Sequence, residues 1–517
     1  MALSLQMKRT LHVIAALAAG AASVFAFAPF GWWPLQIAAL GLMFSLAQRA
    51  ASARAAFVLG WAFGTAMIAT GTYWLYVSMH DYGGMPAPMA AFAVALLATA
   101  LGLFYGTALW TARRIAANAP SPWTLLLLMP ACWMLADWLR GWLFTGFPWL
   151  AAGYAHTNSP LAAYAPLVGV YGIGLLVAVL GGCIALLLTQ RRRAPMWVAL
   201  ALLVALPSAG VALASLHWTT PHGQPVSVRL LQGNVPQNLK FDRAQLIASL
   251  QLYRQMVLEK PADLIATPET ALPMLATQLP AGYLDELAAF GRDSGSRLLI
   301  GVPWTTAPGI YLNSVLGIAD GDTAAYRYDK HHLVPFGEFI PTGFRWFVDM
   351  MHIPLGDFGR GDLQQSPFAV KDQWVMPNIC YEDLFGEEIA AQLAASADRG
   401  APVASLLLNV SNIAWFGDTI ALPQHLQISQ MRSLETGRPM LRATNTGMTA
   451  IIDEHGRVTA SLPSFTPGTL EARVQGTQGQ TPYVRLGNGA PVGLAAIVLL
   501  AFWLRSRRHR SRTAWAD

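Results

Sequence analysis

Residues 197–231 read WVALALLVALPSAGVALASLHWTTPHGQPVSVRLL, and the change of texture inside this stretch decides the architecture. Trp197 to His217 is an almost unbroken apolar run, long enough as a helix to cross a hydrocarbon core of roughly 30 Å. From Trp218 the chain becomes polar and is punctuated by Pro and Gly. Val226–Leu231 then opens as a short aliphatic strand. Membrane texture lies before this point and α/β texture after it.

Toward the N-terminus the apolar texture recurs at 11–29, 33–47, 56–77, 87–111, 122–139 and 161–189, and toward the C-terminus it returns once, at 490–504. Together with 197–217 this makes about seven spans ahead of the polar region, some of them short for the ~20 residues a spanning helix needs. Of 517 residues, 54% are hydrophobic and 12% charged, against about 25% charged in a soluble domain, which excludes a wholly soluble enzyme. The aromatic, Gly/Pro-broken stretch 140–160 reads as a re-entrant or interfacial piece. Asp137 and Arg140 stand i, i+3 before it and can pair. The run Gly141–Trp149 suits an interfacial aromatic belt or a lipid headgroup entrance. Lys8-Arg9, an apolar run and Ala26-Phe27-Ala28 have the outline of a cleavable signal. A retained helix is expected instead, because another apolar segment follows after a few residues.

The formal charge of +6 and a pI near 9.3 invite a nucleic-acid reading, but the placement of the charges removes it. Alternate ends of the spans carry Lys8 and Arg9; Arg49 and Arg54; Arg113 and Arg114; Arg191, Arg192 and Arg193. The tail adds Arg505, Arg507, Arg508, Arg510 and Arg512, whereas the opposite short loops offer essentially only Arg140. Lys and Arg in short loops stay on the cytoplasmic side, so the basic charge is a topology signal. The expected organisation is a bundle over 1–217, a domain outside the cytoplasm over 218–473, and a Gly/Gln/Thr-rich linker over 474–489. A last span at 490–504 and a basic cytoplasmic tail at 505–517 follow.

Within the polar region, strands are expected at Val226–Leu231, Asp263–Ala266, Arg297–Val302, Ser314–Ile318, Trp374–Ile379, Val403–Leu408 and Thr449–Ile452, with helices at about 243–258, 281–292, 386–398 and 422–436. This alternation predicts buried sheets covered by helices. Several polar residues fall just past strands, where α/β folds keep their sites: Glu269, Lys330, Cys380 and Asn409. Of the three cysteines, Cys132 and Cys183 lie within spans, and Cys380 alone lies outside them. They are too scattered for a disulfide framework or a CxxC metal site. An unpaired thiol on the oxidising side of a membrane is a liability unless buried or needed. As a nucleophile it requires a base and a nearby cation. Glu269 can be the base, and Lys330 the cation that also stabilises an oxyanion. Taken singly, an inert buried cysteine, a capping Glu and a surface Lys explain these residues as well; their concentration in one region favours the catalytic reading. His331, His332, His352 and His425 show no HxH or HExxH spacing, and no glycine-rich phosphate loop follows a strand. Neither metal nor cofactor is expected.

A Glu after one strand, a Lys opening a loop that holds a second Glu (Lys330 to Glu338), and Cys380-Tyr381-Glu382 resemble the nitrilase, or carbon–nitrogen hydrolase, superfamily. Spans on both sides of such a domain resemble its membrane-embedded apolipoprotein N-acyltransferase branch. So do Phe27-Ala28-Pro29-Phe30-Gly31-Trp32-Trp33-Pro34, Thr145-Gly146-Phe147-Pro148-Trp149, Val170-Tyr171-Gly172, Gln232-Gly233-Asn234 and the stretch from His332 to Pro341. The chain departs from the family pattern at Thr267, where a Trp commonly precedes Pro-Glu. It departs again at Phe241, which replaces a Trp between Lys240 and Asp242, and at Ile413, where an Asp often follows Asn412.

The resemblance implies a polytopic α-helical membrane protein with an inserted αββα sandwich domain, in a bacterial inner membrane. It implies acyl transfer from a phospholipid, typically phosphatidylethanolamine, to the α-amine of a diacylated apolipoprotein. Glu269 would then be the proton acceptor, Lys330 the oxyanion partner and Cys380 the nucleophile. Glu338 and Glu382 would orient Lys330 and its loop, Tyr381 would shape the thiol pocket, and Phe241, Asn409, Trp415 and Trp149 would contact substrate. Two other classes share features with this reading. A membrane-tethered amidase would use the same three groups with water as acceptor, and a non-enzymatic lipoprotein-binding module would leave the thiol idle.

Overall fold

The computed structural model of the chain describes residues 2–116, 121–189, 193–236, 243–341, 343, 345 and 358–513. Phe241, Arg191, Arg192, His352 and the last four residues lie outside the described residues. The change of texture near residue 217 separates two compact units, one comprising Met1–Tyr76, Pro86–His217 and Leu486–Asp517, the other Val77–Met85 and Trp218–Arg485.

In the first unit every apolar stretch of the sequence is helical. Among the described residues, six helices are long and apolar enough to cross a membrane: Gln6–Ala26, Ala53–Gly71, Ala87–Ala116, Pro160–Thr189, Arg193–Leu213 and Gly489–Arg508. Two further helices, Trp33–Arg49 and Met129–Trp142, are shorter. Small residues set the closest approach, as expected where lipid supplies no hydrophobic drive between helices. A Cβ at Gly60 would fall 2.5 Å from the carbonyl oxygen of Tyr105. The stretch after Trp142 is a series of short helical turns, Leu143–Thr145, Ala152–His156 and Pro160–Tyr164. Arg140, itself buried, fastens that stretch. It pairs with Asp137 at 3.2 Å and donates to the carbonyls of Phe147 and Trp149, the latter at 2.8 Å. Asp137 in turn accepts from Tyr105 Oη and from the Ala152 N–H. A buried ion pair needs further hydrogen bonds to offset its desolvation; here most of them come from bracing the irregular segment.

The second unit holds two six-stranded sheets. One has the order β13-β2-β3-β4-β5-β6, built from β2 (Val226–Gln232), β3 (Leu264–Ala266), β4 (Arg297–Ala307), β5 (Ile310–Ala319), β6 (Asp322–Asp329) and β13 (Gly468–Val474). The other has the order β12-β11-β10-β9-β8-β7, from β7 (Phe368–Val370), β8 (Gln373–Ile379), β9 (Leu406–Ser411), β10 (Met440–Thr444), β11 (Ala450–Ile452) and β12 (Val458–Ser461). Strand periodicity of two sorts the side chains into layers. Val226, Val228, Leu230, Leu264 and Ala266 from the first sheet meet Val375, Ile379, Leu406, Leu408 and Val410 from the second in one shared core. On the outer face of the first sheet, Leu231, Ile265, Leu298 and Ile300 pack with Leu250, Tyr253, Val257 and Leu287 of the helices Arg243–Leu258 and Tyr283–Ser294. On the outer face of the second, Met376, Leu407 and Ile452 pack with Ile389, Leu393 and Leu426 of Gly386–Asp398 and Ala421–Thr436. The result is the expected αββα sandwich. Strands covered on both faces read as continuous aliphatic runs rather than alternating ones.

Some boundaries differ from the sequence reading. Strand β9 runs to Ser411, so Asn409 lies within the strand rather than past its end. The stretch 474–489 is not bare linker: Thr477–Gly479 (β14) pairs with Thr219–Pro221 (β1), and Pro482–Leu486 is helical. The two hairpin-like strands close the unit where its chain enters and leaves.

Candidate active site

Strands β2, β3 and β4 run parallel to one another, as do β8, β9 and β10. The site gathers where several strands finish. Glu269 follows β3, Lys330 follows β6, Cys380 follows β8 and Asn412 follows β9.

Three of these turns contain non-glycine residues with left-handed backbones: Thr270 (φ 50°) next to Glu269, Phe336 (φ 62°) between Lys330 and Glu338, and Cys380 itself (φ 53°). Such conformations are disfavoured for L-residues and persist where surrounding structure overdetermines them. At Cys380 the overdetermination is visible. The turn Cys380–Leu384 is anchored by Glu382, whose carboxylate accepts the N–H of Ile379 at 2.6 Å. The same carboxylate accepts the main-chain N–H groups of His331 (2.7 Å) and His332 (3.2 Å) and the hydroxyl of Tyr328 (3.0 Å). Glu382 therefore ties the Cys380 turn to the Lys330 loop. Burial pushes its carboxyl up to about 6, against the N–H donors and Lys330, which favour the ionised form.

Around Lys330 the groups form a closed ring. Lys330 Nζ lies 2.9 Å from Glu338 Oε1 and 3.2 Å from Glu269 Oε1, and Asn313 Nδ2 donates to the same two oxygens at 2.7 Å each. The second oxygens are held by main chain: Glu269 Oε2 accepts from Asn412 N–H and Glu338 Oε2 from Val334 N–H, both at 2.9 Å. Lys330 is 1% exposed. Burial disfavours its charge, but the two carboxylates outweigh burial and hold its pKa above the ordinary lysine value. It is a fixed cation. Cys380 interacts electrostatically with Glu269, Lys330 and Glu338; burial and the carboxylates dominate, so its thiol is held well above the ordinary value. A thiol so placed rests protonated, and would need a base to take its proton before it could act as a nucleophile.

Glu269, Lys330, Glu338, Glu382 and Cys380 are thus brought into one cluster. Tyr381 is buried beside them, its ring 5.3 Å from Phe385 and 5.8 Å from His332. Asn409 supports the Cys380 turn, donating from Nδ2 to the Cys380 carbonyl at 3.2 Å and to Asn378 at 2.7 Å. Trp415 is 38% exposed on the short turn Ala414–Phe416, edge-on to Tyr82 at 6.2 Å. Tyr82 belongs to the segment Val77–Met85, which lies between two apolar helices in sequence yet joins this unit. Trp149 is in the first unit, buried against Trp74 at 4.8 Å, with its carbonyl bound by Arg140. Asn313 and the Asn412 N–H were not anticipated. A buried amide in a mostly apolar strand is the signal that marks Asn313. Among the described residues, no group of three His, Cys, Asp or Glu side chains is arranged to hold a metal ion.

Comparison with known proteins decides the family. Residues 19–183 match the apolipoprotein N-acyltransferase N-terminal domain, and residues 227–483 match the carbon–nitrogen hydrolase domain. The apolipoprotein N-acyltransferase of Ralstonia nicotianae is 51% identical over 501 residues, covering 96% of this chain and 94% of the relative. The chain belongs to the apolipoprotein N-acyltransferase family. Members from Nitrosomonas europaea and Bordetella bronchiseptica are 45% and 44% identical, covering 97% and 95% of the chain and 99% and 96% of their own length. The family is therefore matched on both the helical bundle and the sandwich domain, and the chain is a membrane protein and an acyltransferase.

Proposed function

We propose that this protein moves an acyl chain from a phospholipid, phosphatidylethanolamine foremost, to the α-amine of the N-terminal diacylglyceryl-cysteine of apolipoproteins, the final step of lipoprotein maturation. Glu269 accepts the Cys380 S–H proton as sulfur attacks the donor ester, and Lys330 faces the oxyanion of the tetrahedral intermediate. Collapse expels the lysophospholipid alkoxide, which takes the proton from Glu269, and leaves a thioester on Cys380. The acceptor amine then attacks, loses a proton to Glu269, and displaces the thiolate, which recovers that proton. Glu338 and Asn313 hold Glu269 and Lys330 in register. Glu382 keeps the Cys380 turn against the Lys330 loop. Water must be excluded while the thioester stands.

The observation that carries this reading is that Glu269 is hydrogen-bonded to the buried Lys330 and interacts electrostatically with Cys380, the one cysteine outside the apolar helices. The charge placement supports an inner-membrane protein with the sandwich domain in the periplasm and the C-terminus in the cytoplasm. The test is incubation of the detergent-solubilised chain with phosphatidylethanolamine and a synthetic diacylglyceryl-cysteine peptide. N-acylated peptide and lysophospholipid in equal amounts are expected; free fatty acid in place of acylated peptide would favour the hydrolase.

A further inference from the structure

The helix Ala421–Thr436 is unusual in being buried along its whole length while carrying Gln424, His425, Gln427, Ser429, Gln430, Arg432, Ser433 and Glu435. Buried polar groups need partners, and one group of them closes on the nucleophile. His425 Nε2 lies 3.3 Å from the carbonyl oxygen of Cys380 and 3.0 Å from Asp383 Oδ1. On the ring's other side, Arg442 Nη2 is 2.9 Å from His425 Nδ1. A guanidinium offers only donors, so Nδ1 is the acceptor and the ring N–H sits on Nε2, within reach of both the Cys380 carbonyl and Asp383 Oδ1. Arg442 Nη1 also lies 3.1 Å from Asp383 Oδ2, an oxygen that accepts from Ser429. Asp383, His425 and Arg442 are all essentially inaccessible to solvent.

We propose that Asp383, His425 and Arg442 form a positioning network behind the nucleophile. His425, with Asn409, holds the main chain of Cys380 in its left-handed conformation, while the charges of Asp383 and Arg442 act on the sulfur with opposite sign. This assignment rests on Cys380 being the nucleophile. The groups that act on Cys380 electrostatically include Glu269, Lys330 and Glu338 and, from the network, Asp383 and Arg442. Burial raises the Asp383 carboxyl, yet His425 and Arg442 outweigh it and hold it below the ordinary value, so the carboxylate stays charged beside the guanidinium. The two charges are opposite in sign and 3.1 Å apart. Deleting either member alone unbalances the field at sulfur in a known direction.

The experiment measures iodoacetamide alkylation of Cys380 against pH in the full-length, detergent-solubilised protein, read on the Cys380 peptide by mass spectrometry. Asp383→Asn removes a negative charge and leaves Arg442 uncompensated, so its profile moves to lower pH by about one unit. Arg442→Gln does the reverse and moves to higher pH by about the same amount. Arg442→Lys keeps the charge and stays nearer to wild type than Arg442→Gln does. Shifts in the same direction, or none, overturn the charge role, because lost packing cannot produce opposite signs. His425→Gln can still donate to the Cys380 carbonyl and retains about tenfold more of the acyl-enzyme formation rate than His425→Leu; equal losses overturn the positioning role. Alkylation needs no lipid, so these shifts stand or fall separately from the choice of acyl donor.

Discussion

The main-chain N–H of Asn412 donates to Oε2 of Glu269 at 2.9 Å. Glu269 Oε1 faces Lys330 and Asn313, so both oxygens of the proposed base look at donors. An amide in its place cannot satisfy both sides, since its NH₂ must confront either the Asn412 N–H or the Lys330–Asn313 pair. Glu269→Gln should lose acyl-enzyme formation and also lose about 1–3 kcal/mol of stability, the cost of an opposed buried donor. Thermal denaturation alongside intact-mass analysis checks both. A variant as stable as wild type would mean that the ring around Lys330 is looser than described.

Lys330 offsets two carboxylates at once. In Lys330→Met, Glu269 and Glu338 share Asn313 with no cation between them. Acyl-enzyme formation should slow by roughly 10²–10³-fold through loss of oxyanion stabilisation. The Cys380 alkylation profile should move to higher pH, because removal of a cation disfavours thiolate. Alkylation kinetics across pH give the sign. An unmoved profile would remove Lys330 from the site.

Glu382 supplies a pH dependence. Its carboxyl is pushed up to about 6 by burial, and only the ionised form can accept all of its donors, the N–H groups of Ile379, His331 and His332 and the Tyr328 hydroxyl. Because the carboxylate is the working form and its pKa is raised, activity is present above about pH 6 and falls as pH drops through that value. Glu382→Gln should be slow throughout and should lack this inflection. Rates measured from pH 5 to pH 8 compare the two; an unchanged acid limb in the variant assigns the inflection to another group.

Much of the molecule was legible in the sequence because burial leaves coarse marks. Spans read as apolar runs, and doubly covered strands such as Val226–Gln232 read as aliphatic ones. Cys380 stood out by being the one thiol beyond the helices. Other features leave no such mark. Strand β10, Met440–Thr444, contains a buried Arg442 and was not anticipated, because its charge is compensated by Asp383, far away in sequence. The segment Val77–Met85 joins the sandwich unit although its neighbours in sequence are apolar helices. Asn313 and Asn412 work through a side-chain amide and a main-chain N–H, and neither group announces its partner in a sequence.

The proposed topology rests on charge placement alone and is separable from the chemistry. Reporter fusions after residue 220 should read as periplasmic and fusions after residue 505 as cytoplasmic. A cytoplasmic signal from the sandwich domain would remove its access to exported lipoproteins.

The central claim is that Cys380 carries the acyl chain as a thioester between donor and acceptor. Intact-mass analysis of the purified protein after incubation with a phospholipid of defined acyl composition, without acceptor, tests it most directly. The account predicts a mass increase equal to one acyl group less a hydrogen, mapped to Cys380, absent in Cys380→Ser, retained in Cys132→Ser and Cys183→Ser, and discharged on addition of a diacylglyceryl-cysteine peptide. An adduct that persists in Cys380→Ser, or N-acylated peptide made by that variant at the normal rate, would contradict it.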